Sequence, residues 1–184
     1  MRLFFSIEIP DEIKNRIEEY IGELKLKLGP MTWTNKKNMH ITLKFIGMVE
    51  DSKIESLENI VERLVKGFGP INISFGGFGA FPDPKHPRVI WSGINGGDGK
   101  LKILADKIED ALVKKGYGEE EREFSPHFTI GRIKENIDTK ALSRFIEENK
   151  QADLGSFTVK DISLMKSTLM KNGPVYEELK QIRL

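Results

Sequence analysis

Two short motifs in this 184-residue chain pair an imidazole with a hydroxyl, and both read His-x-Thr-x, at residues 40–43 and 127–130. Each motif lies in a run that predicts a β-strand, in which alternate side chains share a face. Histidine and threonine would then point one way and the two apolar side chains the other. Paired histidines suit a reaction that removes one proton and delivers another, since a pKa of about 6.5 lets one ring begin neutral and the other charged. The threonines would add donors for an oxyanion, above all a phosphoryl group.

Alternative uses of the histidines are less consistent with the sequence. A single His-x-Thr on a strand usually has a structural or surface role, but two at matching places in a repeat favour function. A zinc site is disfavoured, because neither a third histidine nor a carboxylate stands at ligand spacing and the chain has no cysteine. The remaining histidine, His86, lies in a proline-rich loop and is interpreted as an exposed loop residue. We therefore predict a site without a metal or another cofactor.

The composition indicates one soluble, globular domain. Hydrophobic residues make up 39% and charged residues 31%, and the net charge of +1 argues against a protein that coats DNA but not against a local basic groove. The absence of cysteine excludes disulfides and thiolate catalysis. The N-terminus is charged too early for a signal peptide, and no apolar run reaches the roughly 18 residues of a membrane span. We expect a cytoplasmic protein, and the many Lys and Glu residues suggest a thermophilic source.

The hydrophobic periodicity predicts the order strand, helix, His-x-Thr strand, helix, strand, and this order occurs twice. An offset of 87 residues takes His40 to His127 and Thr42 to Thr129. We predict strands at Leu3–Ile9, Met39–Gly47, Ile71–Phe81, Val89–Ile94 and Pro126–Ile133, with two closing strands at about Phe157–Met170 and Tyr176–Ile182. Helices are predicted to begin near residues 11, 51, 98 and 138.

The predicted fold class is α+β, in a single domain over residues 1–184 with an internal repeat of about 1–87 and 88–184. Because lone strands are not stable in water, each lobe needs a sheet whose outer face is covered by helices. We expect two lobes related by a pseudo-twofold axis, each with a mostly antiparallel β-sheet. The active-site cleft would lie between the sheets, with one His-x-Thr pair on each side.

Residues 40–43 and the longer run Ser125–Arg132 resemble the paired signatures of the two-histidine (2H) phosphoesterase superfamily. The opening residues 2–5 and the motif spacing resemble its RNA 2′,3′-cyclic phosphodiesterases, also called 2′-5′ RNA ligases, over nearly the whole chain. The resemblance implies hydrolysis of a terminal RNA 2′,3′-cyclic phosphate to a 2′-phosphomonoester without metal or nucleotide cofactor. Reverse 2′-5′ ligation of RNA ends is expected to be secondary. RNA ends, tRNA fragments among them, are the expected partners of a monomer that does not bind membranes.

The same resemblance implies a role for each motif residue. His40 would be the proton donor to the departing 3′ oxygen, and His127 the proton acceptor that activates water. Thr42 and Thr129 would hold phosphate oxygens, and Arg132 would bind the phosphate. The residue pattern by itself gives only the pair of histidines and does not distinguish the acid from the base.

The strand pattern bears on Arg132 and adds two further candidates for substrate binding, Lys44 and Phe5. Ideal strand alternation places Arg132 on the face opposite His127, unless a bulge or twist near Gly131, or the length of the arginine, brings it round. The same alternation places Lys44 on the face of His40. Phe5 is a candidate for stacking on a terminal base, although packing in the core is the simpler expectation for an apolar run.

Other substrates and another class of protein stay open at this stage. The same site could serve a 2′-5′ oligoadenylate, a small cyclic nucleotide or a nucleotide-sugar cyclic phosphate. A nucleotide- or RNA-binding module without turnover is the alternative from another class, although a binder would not need a proton donor and acceptor. The basic loops Asn35–Asn38 and Lys85–Arg88 are equally consistent with phosphate contacts and with solvated turns.

Overall fold

The computed structural model describes residues 1–29, 31–120, 123–134, 136–171 and 173–184. Over these residues it contains four α-helices and nine strands. The helices are α1 (Asp11–Leu28), α2 (Ile54–Val65), α3 (Lys100–Val113) and α4 (Thr139–Glu148). The strands are β1 (Arg2–Glu8), β2 (Thr32–Trp33), β3 (His40–Met48), β4 (Ile71–Phe81), β5 (Val89–Gly96), β6 (His127–Arg132), β7 (Asp153–Val159), β8 (Asp161–Met170) and β9 (Gly173–Arg183).

The strands form two antiparallel sheets that each take strands from both halves of the chain. The first sheet has the order β3-β1-β8-β9, and the second has the order β2-β6-β5-β4-β7. Apart from β2, the two orders match over their first three strands, and in each sheet the motif strand lies beside the opening strand of its half. The third position in each sheet is filled by a strand from the other half. The predicted α+β class with two antiparallel sheets is confirmed.

The helices of each half are likewise divided between the two sheets, one to each. The second sheet is covered by α1 and α4, which contact each other and the strands β7 and β4. On the first sheet, α2 and α3 contact each other and the strands β9 and β3. In α1 the apolar side chains recur every three or four residues and form a buried stripe, made by Ile13, Ile17, Ile21, Leu24 and Leu28.

Apolar side chains of both sheets and all four helices form one continuous buried cluster. In β1 the side chains of Leu3, Phe5 and Ile7 belong to this cluster, while Phe4 lies on the opposite face, towards the cleft. This alternation fixes which face of the first sheet is packed and which is left for a site. Among the described residues, none of the helices combines the length and the hydropathy needed to cross a bilayer.

The predicted elements before residue 150 are confirmed with shifts of a few residues, and Ile71–Phe81 is reproduced at both ends. The single closing strand predicted at Phe157–Met170 is wrong. The chain leaves the second sheet after Val159, which pairs with Ile71, and enters the first sheet at Asp161, which pairs with Arg183. A continuous run of strand-forming residues does not reveal such a change of sheet, because each piece keeps the extended conformation.

Candidate active site

A cavity of about 540 Å³ lies between the two sheets and is lined by both His-x-Thr motifs. His40 and Thr42 reach it from β3, and His127 and Thr129 reach it from β6. The apolar partners Ile41 and Phe128 are buried on the other faces of their strands. The structure thus brings together four side chains that lie 87 residues apart in pairs.

The two imidazoles are held in the same way. Nδ1 of His40 lies 2.7 Å from the carbonyl oxygen of Asn38, and Nδ1 of His127 lies 2.7 Å from the carbonyl oxygen of Ser125. A carbonyl oxygen can only accept, so Nδ1 of each ring carries the proton of this hydrogen bond. In both rings Nε2 is therefore the nitrogen that is left to gain or lose a proton.

Both motif strands contain a β-bulge at the fourth motif position. In the first sheet Ser6 pairs with Thr42 but Phe5 pairs with Lys44, so the register skips Leu43. In the second sheet Trp91 pairs with Thr129 but Ile90 pairs with Gly131, and the register skips Ile130. A bulge inserts one residue and shifts the alternation of the side chains that follow.

The bulge after Thr129 decides the position of Arg132. Two residues beyond the skipped Ile130, Arg132 returns to the face of His127 and Thr129 and lines the cavity. A bulge near Gly131 is one way, expected from the sequence, for Arg132 to reach the cleft, and the structure contains this bulge. Gly131 itself packs against Met31 and Trp33, where an added Cβ would clash with Cε of Met31 and lie 3.2 Å from Cε3 of Trp33.

The matching bulge after Thr42 turns Lys44 away from the face of His40. Lys44 is buried, its Nζ lies 2.7 Å from Oε2 of Glu109 on α3, and it donates to the carbonyl oxygen of Gly118. The prediction that Lys44 shares a face with His40 is therefore wrong, because the alternation changes at Leu43. Lys44 borders the cavity at its α3 end, and Phe45 holds the position that corresponds to Arg132.

His40 lies in an aromatic environment. Its ring centroid is 4.9 Å from that of Phe4 and 5.0 Å from that of Tyr176, which meets it edge-on. Burial lowers the pKa of His40 to about 4; the hydrogen bond to the Asn38 carbonyl opposes this change, and the charge of Lys14 adds to it. In the unliganded protein at neutral pH, His40 is a neutral imidazole with its lone pair on Nε2.

Phe5 does not belong to the site. Its side chain has no exposed surface and packs in the core, so the candidate role of stacking on a base is ruled out by its position in β1. Besides Phe128 of the second motif, the aromatic residues that line the cavity are Trp33, Phe45, Phe124 and Tyr176. The sequence did not single them out, because they lie in four separate segments and follow no shared motif.

The two basic loops differ in their relation to the cavity. Asn35 and Asn38 line it, and Asn38 donates from Nδ2 to the carbonyl oxygen of Pro174, whereas Lys36 is bonded to Asn15 of α1. The 85–88 loop is outside the lining, and the His86 side chain is 82% exposed, which confirms its interpretation as a loop histidine. Within the described ranges, no group of three or more His, Asp and Glu side chains is arranged to hold a metal ion.

Comparisons with known proteins agree with this geometry. A model of the 2′-5′ RNA ligase superfamily matches residues 9–169. A Methanocaldococcus jannaschii protein named RNA 2′,3′-cyclic phosphodiesterase is 39% identical over 98% of this chain and 99% of its own length. An Aquifex aeolicus protein of the same name is 34% identical over 98% and 94%, respectively.

Solved structures share the fold at lower identity. A Thermus thermophilus protein superimposes with a TM-score of 0.83 at 22% identity, covering 100% of this chain and 98% of its own. Escherichia coli LigT in complex with 3′-AMP gives 0.78 at 22% identity, covering 100% and 97%. Both motif strands lie inside the matched residues, which span most of the two sheets. The chain belongs to the 2′-5′ RNA ligase superfamily.

Proposed function

We propose that this protein hydrolyses the 2′,3′-cyclic phosphate at the end of an RNA strand. Relatives of 30–39% identity that align with nearly the whole chain are named RNA 2′,3′-cyclic phosphodiesterase. The observation that carries the proposal is the pair of imidazoles held alike on facing strands, each beside a threonine hydroxyl in one cavity. Such a pair provides the base and the acid that opening a cyclic phosphodiester requires.

The proposed reaction is an in-line attack by water. Nε2 of His127 takes a proton as the water oxygen bonds to phosphorus, and the bond from phosphorus to O3′ breaks. Nε2 of His40 gives its proton to O3′, which leaves a 3′-hydroxyl and a 2′-phosphomonoester. The hydroxyls of Thr42 and Thr129 and the charge of Arg132 stabilise the negative charge on the non-bridging oxygens.

The acid role requires His40 to take up a proton when substrate binds. A pKa of about 4 leaves few of these rings protonated at pH 7, so the free protein holds the wrong form for a general acid. An anionic phosphodiester beside the ring favours the imidazolium and raises this pKa. We therefore expect proton uptake on substrate binding, with the bound phosphate providing the charge that the protein lacks.

The test is an assay with an oligonucleotide that ends in a 2′,3′-cyclic phosphate, in the presence of EDTA. Phosphorus NMR identifies the product, and a 2′-phosphate is expected. His40→Ala and His127→Ala should each lower kcat/KM by about 10²–10⁴, while His86→Ala, a change in the exposed loop, should leave it unchanged. Full activity in either site variant, or a requirement for metal, would contradict the proposed mechanism.

Two narrower proposals depend on the same assay. Ligation is the reverse reaction, with a 5′-hydroxyl in place of water and the roles of the histidines exchanged; it should be observed only where RNA structure holds the two ends together. A monomer acting in the cytoplasm on fragments such as cleaved tRNA is the setting we propose. If 2′-5′ oligoadenylate or a small cyclic nucleotide is turned over faster than the RNA end, that compound class becomes the proposed substrate in place of the RNA end. Tight RNA binding without any product would instead favour a binding module.

A further inference from the structure

Besides Arg132 of the second sheet, a second arginine faces the cleft. This residue is Arg2, on the cleft face of the first sheet and outside both motifs. In β1 the core side chains are Leu3, Phe5 and Ile7, so Arg2 lies on the same face as Phe4, whose ring contacts His40. Arg2 also pairs with Ser167 of β8, and Ser167 pairs with Tyr176 of β9. Arg2 and Tyr176 therefore lie in one row of the sheet, about 10 Å apart in Cα position.

The charge of Arg2 is available to a ligand. Its side chain is exposed, and no carboxylate lies within 4.0 Å of it among the described residues, whereas Arg16 and Arg183 each pair with an acid. Burial raises the pKa of the Tyr176 phenol, and the charges of Arg132 and Arg2 partly oppose this change. Both arginines thus act on the same part of the cleft, one from each sheet.

Arg2 stands too far along β1 to bind the reacting phosphate. Ser6 is the β1 residue paired with Thr42, and Arg2 lies four residues before it, about 13 Å away at 3.3 Å per residue. Phe4, Phe45 and Tyr176 occupy the intervening surface. Arg132 lines the cavity together with the threonines, whereas Arg2 is not among the lining residues.

The α3 end of the cavity would repel the RNA backbone, and it lies beside β3, where Glu120 accepts from the backbone N–H of Phe45. Five described carboxylates line it, those of Asp106, Glu109, Glu119, Glu120 and Glu123. Among the residues that the structure describes, Lys44 forms an ion pair with Glu109, and Lys102 forms ion pairs with Asp106 and Glu123. A polyanion would avoid this acidic end. The strand that precedes the terminal nucleotide is therefore directed away from β3, over the side of the sheet that carries Arg2 of β1 and Tyr176 of β9.

We propose that Arg2 binds the phosphate on the 5′ side of the terminal nucleotide, and so favours RNA chains over cyclic mononucleotides. This inference rests on the proposed function in taking RNA as the ligand. Arg132 would hold the reacting phosphate and Arg2 its upstream neighbour, with the terminal nucleoside over the aromatic surface between them. A guanidinium suits this position because it forms paired hydrogen bonds with phosphate oxygens.

The test compares binding of two product-like probes, adenosine 2′-phosphate and a triadenylate that ends in a 2′-phosphate. Only the triadenylate has an upstream phosphate. For Arg2→Gln we expect the Kd of the triadenylate to rise about threefold to tenfold, with the Kd of adenosine 2′-phosphate changed by less than about twofold. The slope of log affinity against log salt for the triadenylate should fall in magnitude by about 0.7.

Two variants control for charge and folding. Arg2→Lys should keep most of the triadenylate affinity, and Arg144→Gln, an exposed site on α4 outside the second sheet, should bind both probes like the wild type. Any of three results would overturn the proposal. Arg2→Gln could lose affinity equally for both probes, it could lose no affinity for the triadenylate, or the wild type could bind both probes equally. Hydrolysis by the wild type is scored separately, so a protein that shows the binding pattern without turnover would refute the proposed function and not the role of Arg2.

Discussion

The strands β3 and β6 carry the same motif in the same local geometry but lie in different surroundings. Each presents histidine and threonine to the cavity, anchors Nδ1 on the carbonyl oxygen two residues earlier, and bulges at the fourth motif position. His40 is packed between Phe4 and Tyr176, whereas His127 meets the edge of Phe81 at 5.1 Å. The repeated local pattern therefore sets equal geometry, and the neighbouring strands make the two chemical environments unequal.

The residues after the bulges differ more strongly. Arg132 and Phe45 occupy corresponding positions on the cleft face, and Gly131 and Lys44 occupy corresponding positions on the covered face. One strand thus adds a cation to the cavity, while the other adds an aromatic ring and uses its cation in an ion pair with α3. A cyclic phosphate at the end of an RNA is itself asymmetric, with a nucleoside on one side only, and a duplicated site must lose its symmetry to recognise it.

The largest expected effect distinguishes the roles of the two histidines, His40 and His127. A nitrophenolate leaving group needs no proton, so an enzyme that lacks its general acid should lose little activity on bis(4-nitrophenyl) phosphate. His40→Gln is expected to lower kcat/KM by about 10²–10⁴ on the cyclic RNA end and by less than about tenfold on the aryl ester. His127→Gln should lower kcat/KM by about the same factor on both substrates. The opposite pattern would exchange the two roles, and equal behaviour of both variants would show that neither histidine is a dedicated acid.

The sequence predicted the motif strands and the helices because their patterns are local. The alternation in residues 40–43 and 127–130 and the apolar stripe of α1 each depend on residues within a few turns or pleats. The sequence could not decide on which face of its strand Arg132 lies, since a bulge depends on the register with the neighbouring strand. Lys44 was assigned to the wrong face for the same reason.

The parts that were not predicted depend on contacts distant in sequence. The chain changes sheets at Lys160, and α1 covers the sheet that β1 does not belong to. The aromatic rings around His40 come from β1 and β9, at opposite ends of the chain. Their proximity follows from the order β3-β1-β8-β9, which no local pattern specifies.

A smaller expected effect concerns the burial of His40. Its pKa falls from 6.5 to about 4 on folding, so between these values the unfolded chain binds a proton that the folded protein does not. The stability that this group contributes is present above pH 6.5 and is lost as the pH falls towards 4. At 1.36 kcal/mol per unit, the loss is on the order of 3 kcal/mol.

Urea unfolding of the wild type and His40→Gln at pH 7 and pH 4 measures this effect. Glutamine does not titrate, so the variant should lose less stability between the two pH values than the wild type. The carboxylates and the other histidines contribute alike to both proteins, and their contributions cancel in the comparison. Identical pH dependence in the two proteins would mean that His40 titrates alike in the folded and unfolded states.

The smallest expected effect tests whether Lys44 supports the bulge or binds substrate. In Lys44→Met, Glu109 and the carbonyl of Gly118 lose a cation from a buried position. Glu109 is 24% exposed and also accepts from the backbone N–H of Glu120. The cost should therefore lie below the 3–5 kcal/mol typical of a broken buried pair, at about 2 kcal/mol. Urea unfolding measures it, with Lys150→Met as control, because the exposed pair of Lys150 and Glu147 at 3.9 Å should contribute less than about 1 kcal/mol.

Adding Glu109→Gln to Lys44→Met should recover part of the lost stability, because the uncompensated carboxylate is then removed. The affinity for adenosine 2′-phosphate should change little in the double variant, since the Nζ of Lys44 is bound to α3 rather than directed at the threonines. Weaker binding without a loss of stability would assign Lys44 to the substrate instead. That outcome would make β3 and β6 alike in giving each side of the cleft its own cation, whereas the structure gives the first side an aromatic ring.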